Sequence, residues 1–291
     1  MQSDDEARRN ANGPSTFLPF VQFNKEDIVG KLNQENRDSA SEAVRALLLL
    51  PGYAAERNLR ELENTLQMFE GNTAELLDLL ESEPPRGIGL RILGGKTATE
   101  KYMDEVDRRL YNFAMIRMTL VEHTRNTLDR LGLGEETAWY DEVYRPKKAA
   151  ILKPAFKFLQ DLRNYVGHSR PVKTNEVFTV EGDEIYRLQV AIHKNQLNYA
   201  KWSAGAKQYL NEPEPRIDVT NLVTDYKMAV AELYRWLIPA IRVQKADDFA
   251  EADRLRKFLV TTFEGAHRVK VRDPETMARL LDVELADAEP E

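Results

Sequence analysis

Apolar residues recur every three or four positions between residues 99 and 130, and neither proline nor glycine interrupts that segment before Gly132. This spacing places the apolar side chains along one face of a helix. Thr97 or Thr99 is suited to cap its first turn. The pattern therefore predicts one long amphipathic helix. Its apolar stripe consists of Val106, Leu110, Phe113, Ile116, Leu120, Val121 and Leu128.

The residues before this helix predict shorter helices. Ser41 is a candidate N-cap for a first helix, and a second apolar stripe predicts another helix that ends at Gly71. Residues 72–80 predict a further short helix. A Pro-Pro pair and several glycines follow, so we expect a boundary between the N-terminal helices and the main domain near residues 82–97.

The residues after the long helix predict more helices and one small β element. Residues 135–166 have a helical pattern, in which Pro146 and Pro154 should cause a kink or a restart because proline lacks the N–H used inside a helix. Two β-prone runs in residues 176–192 predict a hairpin. Helices return after it, with a kink expected at Pro239. We therefore predict an all-α fold with a small β-hairpin insertion.

These elements divide the chain into four parts. Residues 1–22 are polar, show little periodicity and predict a disordered or loosely attached tail. Residues 23–96 hold the N-terminal helices and a linker, and residues 97–265 form the main helical domain. Residues 266–291 form an acidic tail.

Composition places the chain among globular proteins. Of its 291 residues, 42% are hydrophobic and 31% are charged, and it contains no run of about 18 apolar residues that would span a bilayer. The N-terminus lacks a secretory signal pattern, and the absence of cysteine agrees with a reducing compartment. We therefore expect a cytoplasmic protein without a membrane span.

Basic residues cluster in one part of this acidic chain. The net charge is −7, yet residues 145–173 contain eight basic side chains and one acidic side chain. Such a segment can hold a phosphate backbone locally while the rest of the surface repels it. A solvated helix face would produce the same pattern, so charge alone leaves both interpretations open.

Several common chemistries lack their motifs. No segment matches the phosphate-binding loop pattern G-x-x-x-x-G-K-[ST], and no G-x-S-x-G nucleophile elbow is present. His123, His193 and His267 have no spacing that suits zinc. We therefore expect neither a metal nor a cofactor.

One short motif places three polar groups near a helix end. In the segment DLRNYVGHSRP, Arg163 and Asn164 precede His168. Helix geometry puts Asn164 and His168 on one face, whereas Arg163 diverges from His168 by about 140°. Two copies meeting about a twofold axis would bring both arginines and both histidines into a common cleft. Histidine transfers protons and arginine stabilises phosphate charge, which are the parts needed to cleave RNA through its 2′-hydroxyl.

The same residues carry a resemblance to a known family. The segment LRNYVGH resembles the Arg-polar-x3-His signature of HEPN domains, an all-helical family, and Arg163, Asn164 and His168 correspond to it by type and spacing. Residues 107–125 are similar to the helix that precedes the motif in bacterial HEPN-like proteins. The predicted hairpin after the motif is similar to the corresponding element of those proteins. The resemblance covers residues 97–265 and leaves the N-terminal helices unexplained.

The resemblance implies a helical bundle of HEPN type, with the motif at a dimer interface. It also implies metal-independent RNA cleavage that leaves a 2′,3′-cyclic phosphate and a 5′-hydroxyl. Toxin and phage-defence roles are common in that family, which implies an antitoxin or a defence complex as a further partner. Toxins of the family that a nucleotidyltransferase silences carry a tyrosine two residues after the histidine, where this chain has Arg170.

We therefore predict a homodimeric endoribonuclease that acts on single-stranded RNA or tRNA. His168 would act as general acid or base, Arg163 would hold the scissile phosphate, and Asn164 would orient one of them. Lys157 and Arg170 are candidate contacts to the RNA backbone.

A non-catalytic scaffold or regulatory module is the alternative, since many HEPN-like domains bind or dimerise without cutting. In that case Arg163 would pair with Asp161 or a neighbouring carboxylate, Asn164 would cap a turn, and His168 would bond the last helical carbonyls. For His123, on the long helix, we expect a core or interface role.

Overall fold

The computed structural model describes residues 34–81, 96–151, 153, 155–168, 172–181, 184–199 and 201–266. Most of these residues are helical, as predicted. The helices are Gln34–Leu49 (α1), Pro51–Glu81 (α2), Lys96–Arg130 (α3), Arg145–Ile151 (α4), Ala155–His168 (α5), Ala204–Leu210 (α6), Val219–Gln244 (α7) and Ala246–Ala266 (α8). The strands are Asn175–Glu181 (β1), Glu184–His193 (β2) and Arg216–Asp218 (β3). Within the described ranges, no helix is both long and apolar enough to cross a membrane.

The chain divides into two compact units, residues 1–50 with 250–291, and residues 51–249. In the first unit, Ala40, Val44 and Leu47 form a buried stripe at helical spacing on α1. The second unit contains both α2 and α3, which flank the boundary predicted near residues 82–97. Most of that boundary segment lies outside the described residues, as do the predicted N-terminal tail and nearly all of the acidic C-terminal tail.

Four helices of the larger unit meet at a cluster of aromatic rings. Phe69 on α2 and Phe113 on α3 each lie within 6.0 Å of Tyr226 on α7, measured between ring centroids. Phe156 on α5 meets the Tyr226 ring edge-on at 5.0 Å. All four rings are buried. Burial and edge-to-face contacts therefore hold α5, which carries the polar motif, against the long helices.

The long helix predicted from the apolar stripe is present as α3. It ends in a Schellman motif, in which the N–H of Leu133 donates to Leu128 O at 2.8 Å and the N–H of Gly132 donates to Asp129 O at 2.9 Å. Gly132 has a φ angle of 64°, a left-handed conformation that glycine adopts without steric cost. The predicted stop at Gly132 is therefore confirmed.

The N-terminal helices differ from the prediction in two ways. α2 runs through Gly71, so the two helices predicted on either side of that glycine are one. Buried Phe69 and Leu76 continue the same face across it, and one interior glycine weakens a helix by only about 1 kcal/mol. Ser41 lies inside α1 and is not its N-cap, whereas Pro51 begins α2, where a missing N–H is harmless.

The helix breaks predicted at prolines take different forms. A π-helical turn, Tyr140–Tyr144, precedes Pro146, and α4 continues through that proline. A wider turn suits a residue that cannot donate to the fourth preceding carbonyl. Pro154, between α4 and α5, lies outside the described residues. α7 continues through Pro239 as one helix.

The predicted hairpin is present, and a third strand joins it. β1 pairs with β2, and β2 pairs with β3 through Ile192 and Ile217, all antiparallel. The sheet therefore has three strands where the sequence predicted two. Asp218 ends β3 and caps α7, because its Oδ1 accepts from the N–H of Asn221 at 2.9 Å. The helix predicted directly after the hairpin is shorter than expected, since α6 begins only after its N-cap, Ser203.

Candidate functional site

Arg163 and Asn164 lie in the last turns of α5, and their side chains contact each other. Nη1 of Arg163 donates to Asn164 Oδ1 at 3.0 Å, and both residues are half-buried. Neighbouring helical residues point about 100° apart. The hydrogen bond therefore draws the guanidinium toward the Asn164 side of the helix.

The structure places the other motif residues only in part. His168 is the last residue of α5. Its side chain lies outside the described part of the structure, and so does all of Arg170. Steps of seven and four residues return to nearly the same direction on a helix. Lys157, Asn164 and the backbone position of His168 therefore share one face of α5.

Another face of α5 is held by an aromatic cluster. Tyr165 is 1% exposed, stacks on Trp202 with 5.6 Å between ring centroids, and meets Tyr199 edge-on at 5.6 Å. Its hydroxyl donates to Gln196 O at 3.3 Å, and the Trp202 indole donates to Leu197 O at 3.2 Å. The tyrosine inside the motif is therefore a packing residue that fixes α5 to the chain around Trp202.

Two carboxylates fix the segments that adjoin α5. Oδ2 of Asp161 accepts from the N–H of Ser203 at 2.6 Å, next to the start of α6. Oδ1 of Asp107, on α3, accepts from the N–H and from the hydroxyl of Thr174 at 3.0 and 2.7 Å. Its Oδ2 lies 3.0 Å from Lys173 Nζ. The chain that leaves the motif helix is therefore tied back to α3.

The pair expected between Arg163 and Asp161 does not form. Asp161 makes its hydrogen bond with Ser203, as above. Nor does Arg163 have a salt bridge to any other carboxylate among the described residues, and its hydrogen bond goes to Asn164. Hydrogen-bond geometry thus favours the neighbouring amide over an acid as the partner of the guanidinium.

A cavity of about 600 Å³ lies beside the Asn164 face of α5. Residues of α3, α4, α5, α6 and α7 form its walls. Among the described residues, its charged lining consists of Arg117, Lys148, Lys153, Lys157 and Glu122, so we call it the basic cavity. Asn164 lines it as well, which connects the motif to this cavity.

Arg117 is the most buried cation of the basic cavity. It is 6% exposed, its Nη1 donates to Leu159 O over a long 3.5 Å, and its guanidinium carbon lies 5.3 Å from the centroid of the Tyr226 ring. Its Nε has no hydrogen-bond partner, and no carboxylate pairs with it within the described ranges. A buried guanidinium normally requires a counter-charge, and here the described chain supplies none.

Lys148, on α4, is half-buried beside the same cavity. Burial lowers the pKa of its ammonium below the ordinary value, and the nearby charge of Lys157 lowers that pKa further. Glu135 opposes this effect, and Arg117 adds to it more weakly. The ammonium lies 5.4 Å from the centroid of the Tyr144 ring, a cation–π contact that partly replaces lost hydration. Lys148 therefore lies where the positive charges of Lys157 and Arg117 both act on it.

Salt bridges neutralise part of the predicted basic segment and of the cavity wall. They join Lys153 to Asp225 at 3.1 Å, Lys173 to Asp107 at 3.0 Å, Arg145 to Asp141 at 2.9 Å, and the cavity's Glu122 to Arg125 at 2.7 Å. Among the described residues, Arg117, Lys148 and Lys157 are left as cavity cations without a carboxylate partner. The exposed basic segment is thus partly paired, and three cations of the cavity keep their unneutralised charge.

Sequence reasoning missed Arg117, and it placed Lys148 only in the basic segment of residues 145–173 and not at a site. Arg117 carried a signal, because Leu110, Phe113, Arg117 and Leu120 follow alternating steps of three and four residues. This spacing places a cation on the buried stripe of α3. Lys148 carried no such signal, since its burial depends on how α4 packs.

His123 is an exposed residue that contacts α2 and is not a core residue. Its Nδ1 lies 2.7 Å from Thr65 Oγ1, which joins α3 to α2. His193 ends β2, and His267 lies outside the described residues. Within the described part of the chain, no group of three or more His, Cys, Asp or Glu side chains is arranged to hold a metal ion.

Comparisons with protein-family models, with curated proteins and with solved structures gave no match for this chain. The HEPN resemblance of the motif therefore stays a prediction, and the function proposed below is derived from the residues of the site.

Proposed function

We propose that this protein is a metal-independent endoribonuclease of HEPN type, which cleaves RNA through its own 2′-hydroxyl. One observation carries the proposal: Asn164, hydrogen-bonded to Arg163, lines a cavity in which three of the four cations lack carboxylate partners among the described residues. Unneutralised cations beside a polar motif favour a phosphate. The substrate is single-stranded RNA or tRNA, met in the cytoplasm.

In the proposed reaction, the 2′-oxygen of a ribose forms a bond to the adjacent phosphorus while the bond from phosphorus to the 5′-oxygen breaks. The 2′-hydroxyl loses a proton and the leaving 5′-oxygen gains one; His168 carries out one of these two transfers and water carries out the other. Arg163 stabilises the charge that grows on the phosphate oxygens, and Asn164 holds the guanidinium in place. Lys157 and Arg170 contact neighbouring phosphates. The products are a 2′,3′-cyclic phosphate and a 5′-hydroxyl.

The proposal includes a homodimer. On one copy of α5, positions 163 and 168 diverge by about 140°, so a single helix end does not surround a phosphate. Two copies related by a twofold axis would supply an arginine from one protomer and a histidine from its partner to each site.

Cleavage of labelled RNA in EDTA tests the chemistry. Wild-type protein should yield cyclic-phosphate ends, and His168→Ala and Arg163→Ala should each lower the rate by about 100-fold or more. The matched controls are His193→Ala and Arg235→Ala, which change the same residue types outside the motif and the cavity lining. Circular dichroism should first show that every variant is folded. Intact RNA with folded wild type, or equal rates for motif and control variants, would refute the proposal.

The proposed biological role of this ribonuclease is that of a toxin or a phage-defence protein, with an antitoxin or a defence complex as its partner. Expression of wild-type protein should then arrest bacterial growth, and expression of His168→Ala to the same level should not. Equal growth of the two strains would argue against that role and would leave the chemistry to the cleavage assay.

A non-catalytic dimerising module is the second candidate. The hydrogen bond that Arg163 donates to Asn164 favours it, because it occupies one guanidinium donor and the amide oxygen without RNA. This candidate predicts that folded wild type leaves RNA intact and that Arg163→Ala weakens self-association in sedimentation experiments.

A further inference from the structure

Like charges gather in the basic cavity without a matching acid. Arg117, Lys148 and Lys157 have no carboxylate partner among the described residues, whereas the cavity's Glu122 already pairs with Arg125. Burying cations together is unfavourable unless an anion offsets their repulsion and lost hydration. The Nε of Arg117 is buried and has no hydrogen-bond partner among the described residues, so the fold does not fully satisfy this guanidinium.

The remaining walls supply contacts of a different kind. Buried Phe156 and Tyr226 line the cavity, together with Met118 and Val121. A mixture of apolar walls and a few convergent polar groups is typical of small-molecule sites, whose volumes are about 300–1,000 Å³. The cavity, at about 600 Å³, falls in this range.

We infer that the basic cavity binds a phosphorylated small molecule, with its phosphate monoester held by Arg117, Lys148 and Lys157 and a ring-bearing body against Phe156 and Tyr226. A monoester carries about two negative charges at neutral pH, whereas each phosphodiester of RNA carries one. Three cations therefore match a monoester better. The inference uses the same cavity that supports the proposed function, Lys157 included, but it does not rest on RNA cleavage, because binding alone is claimed.

Gly205 contributes to the shape of the site. A Cβ atom at that position would lie 3.0 Å from Cγ and 3.1 Å from Cβ of Lys157. The absence of a side chain thus lets α6 approach the root of Lys157, which limits where that lysine can lie. Gln208 on α6 and Gln160 on α5 add amide groups that can bond a phosphate oxygen or the rest of the ligand.

Isothermal titration calorimetry on the full chain tests the inference with four probes: phenyl phosphate, inorganic phosphate, phenol and a short RNA without terminal phosphates. Wild type should bind phenyl phosphate at least about tenfold more tightly than inorganic phosphate, which lacks the ring, or phenol, which lacks the phosphate. The RNA, which carries only diesters, should bind the cavity more weakly than phenyl phosphate.

Matched variants assign the binding to the cavity. Lys148→Met and Arg117→Met should each weaken phenyl phosphate binding by about tenfold or more. Lys207→Met, which removes an exposed lysine of α6 outside the cavity lining, should change it by less than about twofold. Lys157→Met is a further test at an exposed position, where folding is least at risk, and it should also weaken binding.

Three results would overturn the inference. The first is the absence of saturable binding of phenyl phosphate to folded wild type at millimolar concentration. The second is unchanged affinity in folded Lys148→Met and Lys157→Met. The third is tighter binding of the RNA than of phenyl phosphate, lost in Lys148→Met, which would assign the cavity to RNA phosphodiesters. Since no probe needs to be cleaved, failure here is distinct from failure of the ribonuclease proposal.

Discussion

The two faces of α5 are built in opposite ways. One face carries Phe158, Leu162 and Tyr165, all almost fully buried, and packs into an aromatic cluster with Trp202. The other carries Lys157 and Asn164, which line a cavity rich in unneutralised positive charge. The first face removes apolar surface from water, whereas the second gathers charges that repel one another.

This difference separates stability from function within 14 residues. Apolar burial and ring contacts stabilise the fold, and nothing about them needs a ligand. A cluster of cations beside a cavity opposes folding slightly and gains from a bound anion. Substitutions on the aromatic face and at the cations around the cavity should therefore change stability in opposite directions.

The largest effect is expected on the aromatic face. Tyr165→Ala should lower the free energy of unfolding by about 3–5 kcal/mol, because it leaves a cavity beside Trp202 and loses the ring contacts. Tyr165→Phe removes only the hydroxyl that donates to Gln196 O and should cost about 1 kcal/mol. Urea unfolding curves measure both values. A loss below about 1 kcal/mol for Tyr165→Ala would mean that this face does not hold α5.

A smaller effect is expected where α6 meets the cavity face. Gly205→Ala should cost about 1 kcal/mol net, because crowding of its Cβ against Cγ and Cβ of Lys157 at 3.0 and 3.1 Å outweighs the roughly 1 kcal/mol that alanine gains over glycine in a helix. Gly71→Ala is the control, since no atom lies within 4 Å of its Cβ position. That change should stabilise α2 by about 1 kcal/mol. Thermal unfolding of both variants checks the signs, and stabilisation by Gly205→Ala would contradict the close approach of the two helices.

The smallest effect should have the opposite sign. Lys148→Met keeps the side-chain volume and removes a half-buried cation, so it should leave stability unchanged or raise it by up to about 1 kcal/mol at neutral pH. Burial lowers the pKa of Lys148 from its ordinary value of 10.5, so the unfolded chain binds more protons at that group. The free energy of unfolding of wild type should therefore increase relative to that of the variant as pH rises from the lowered pKa toward 10.5. Urea unfolding at several pH values measures the difference, and a loss of more than about 1 kcal/mol at neutral pH would show that Lys148 serves the fold.

Local patterns were sufficient to predict much of the fold. The apolar stripe of α3 and the glycine after it specify a helix and its end by residues close in sequence, and both are present. The predicted helix end at Gly71 was wrong, because burial of Phe69 and Leu76 outweighs the modest cost of one glycine. β3 has three residues, too few for a periodic pattern, and it exists because Ile217 pairs with Ile192 on a distant strand.

The candidate site was predictable only in its linear part. Arg163 and Asn164 were found from their spacing, and the structure adds the hydrogen bond that joins them. The cavity was not predictable, because Arg117 and Lys148 are separated by 31 positions in sequence and come together only through helix packing. Counting charges in the sequence also overestimated the unneutralised positive charge of the basic segment, because Lys153 and Lys173 are paired with acids from other elements.

A mixing experiment tests the central claim, the composite ribonuclease site, most directly. Arg163→Ala and His168→Ala chains, each inactive alone, are mixed, exchanged and assayed for RNA cleavage in EDTA. Random exchange makes about half of the dimers mixed, and each mixed dimer has one complete site if arginine and histidine come from different protomers. The account therefore predicts recovery of about a quarter of wild-type activity. No recovery from a folded, exchanging mixture of dimers would contradict it.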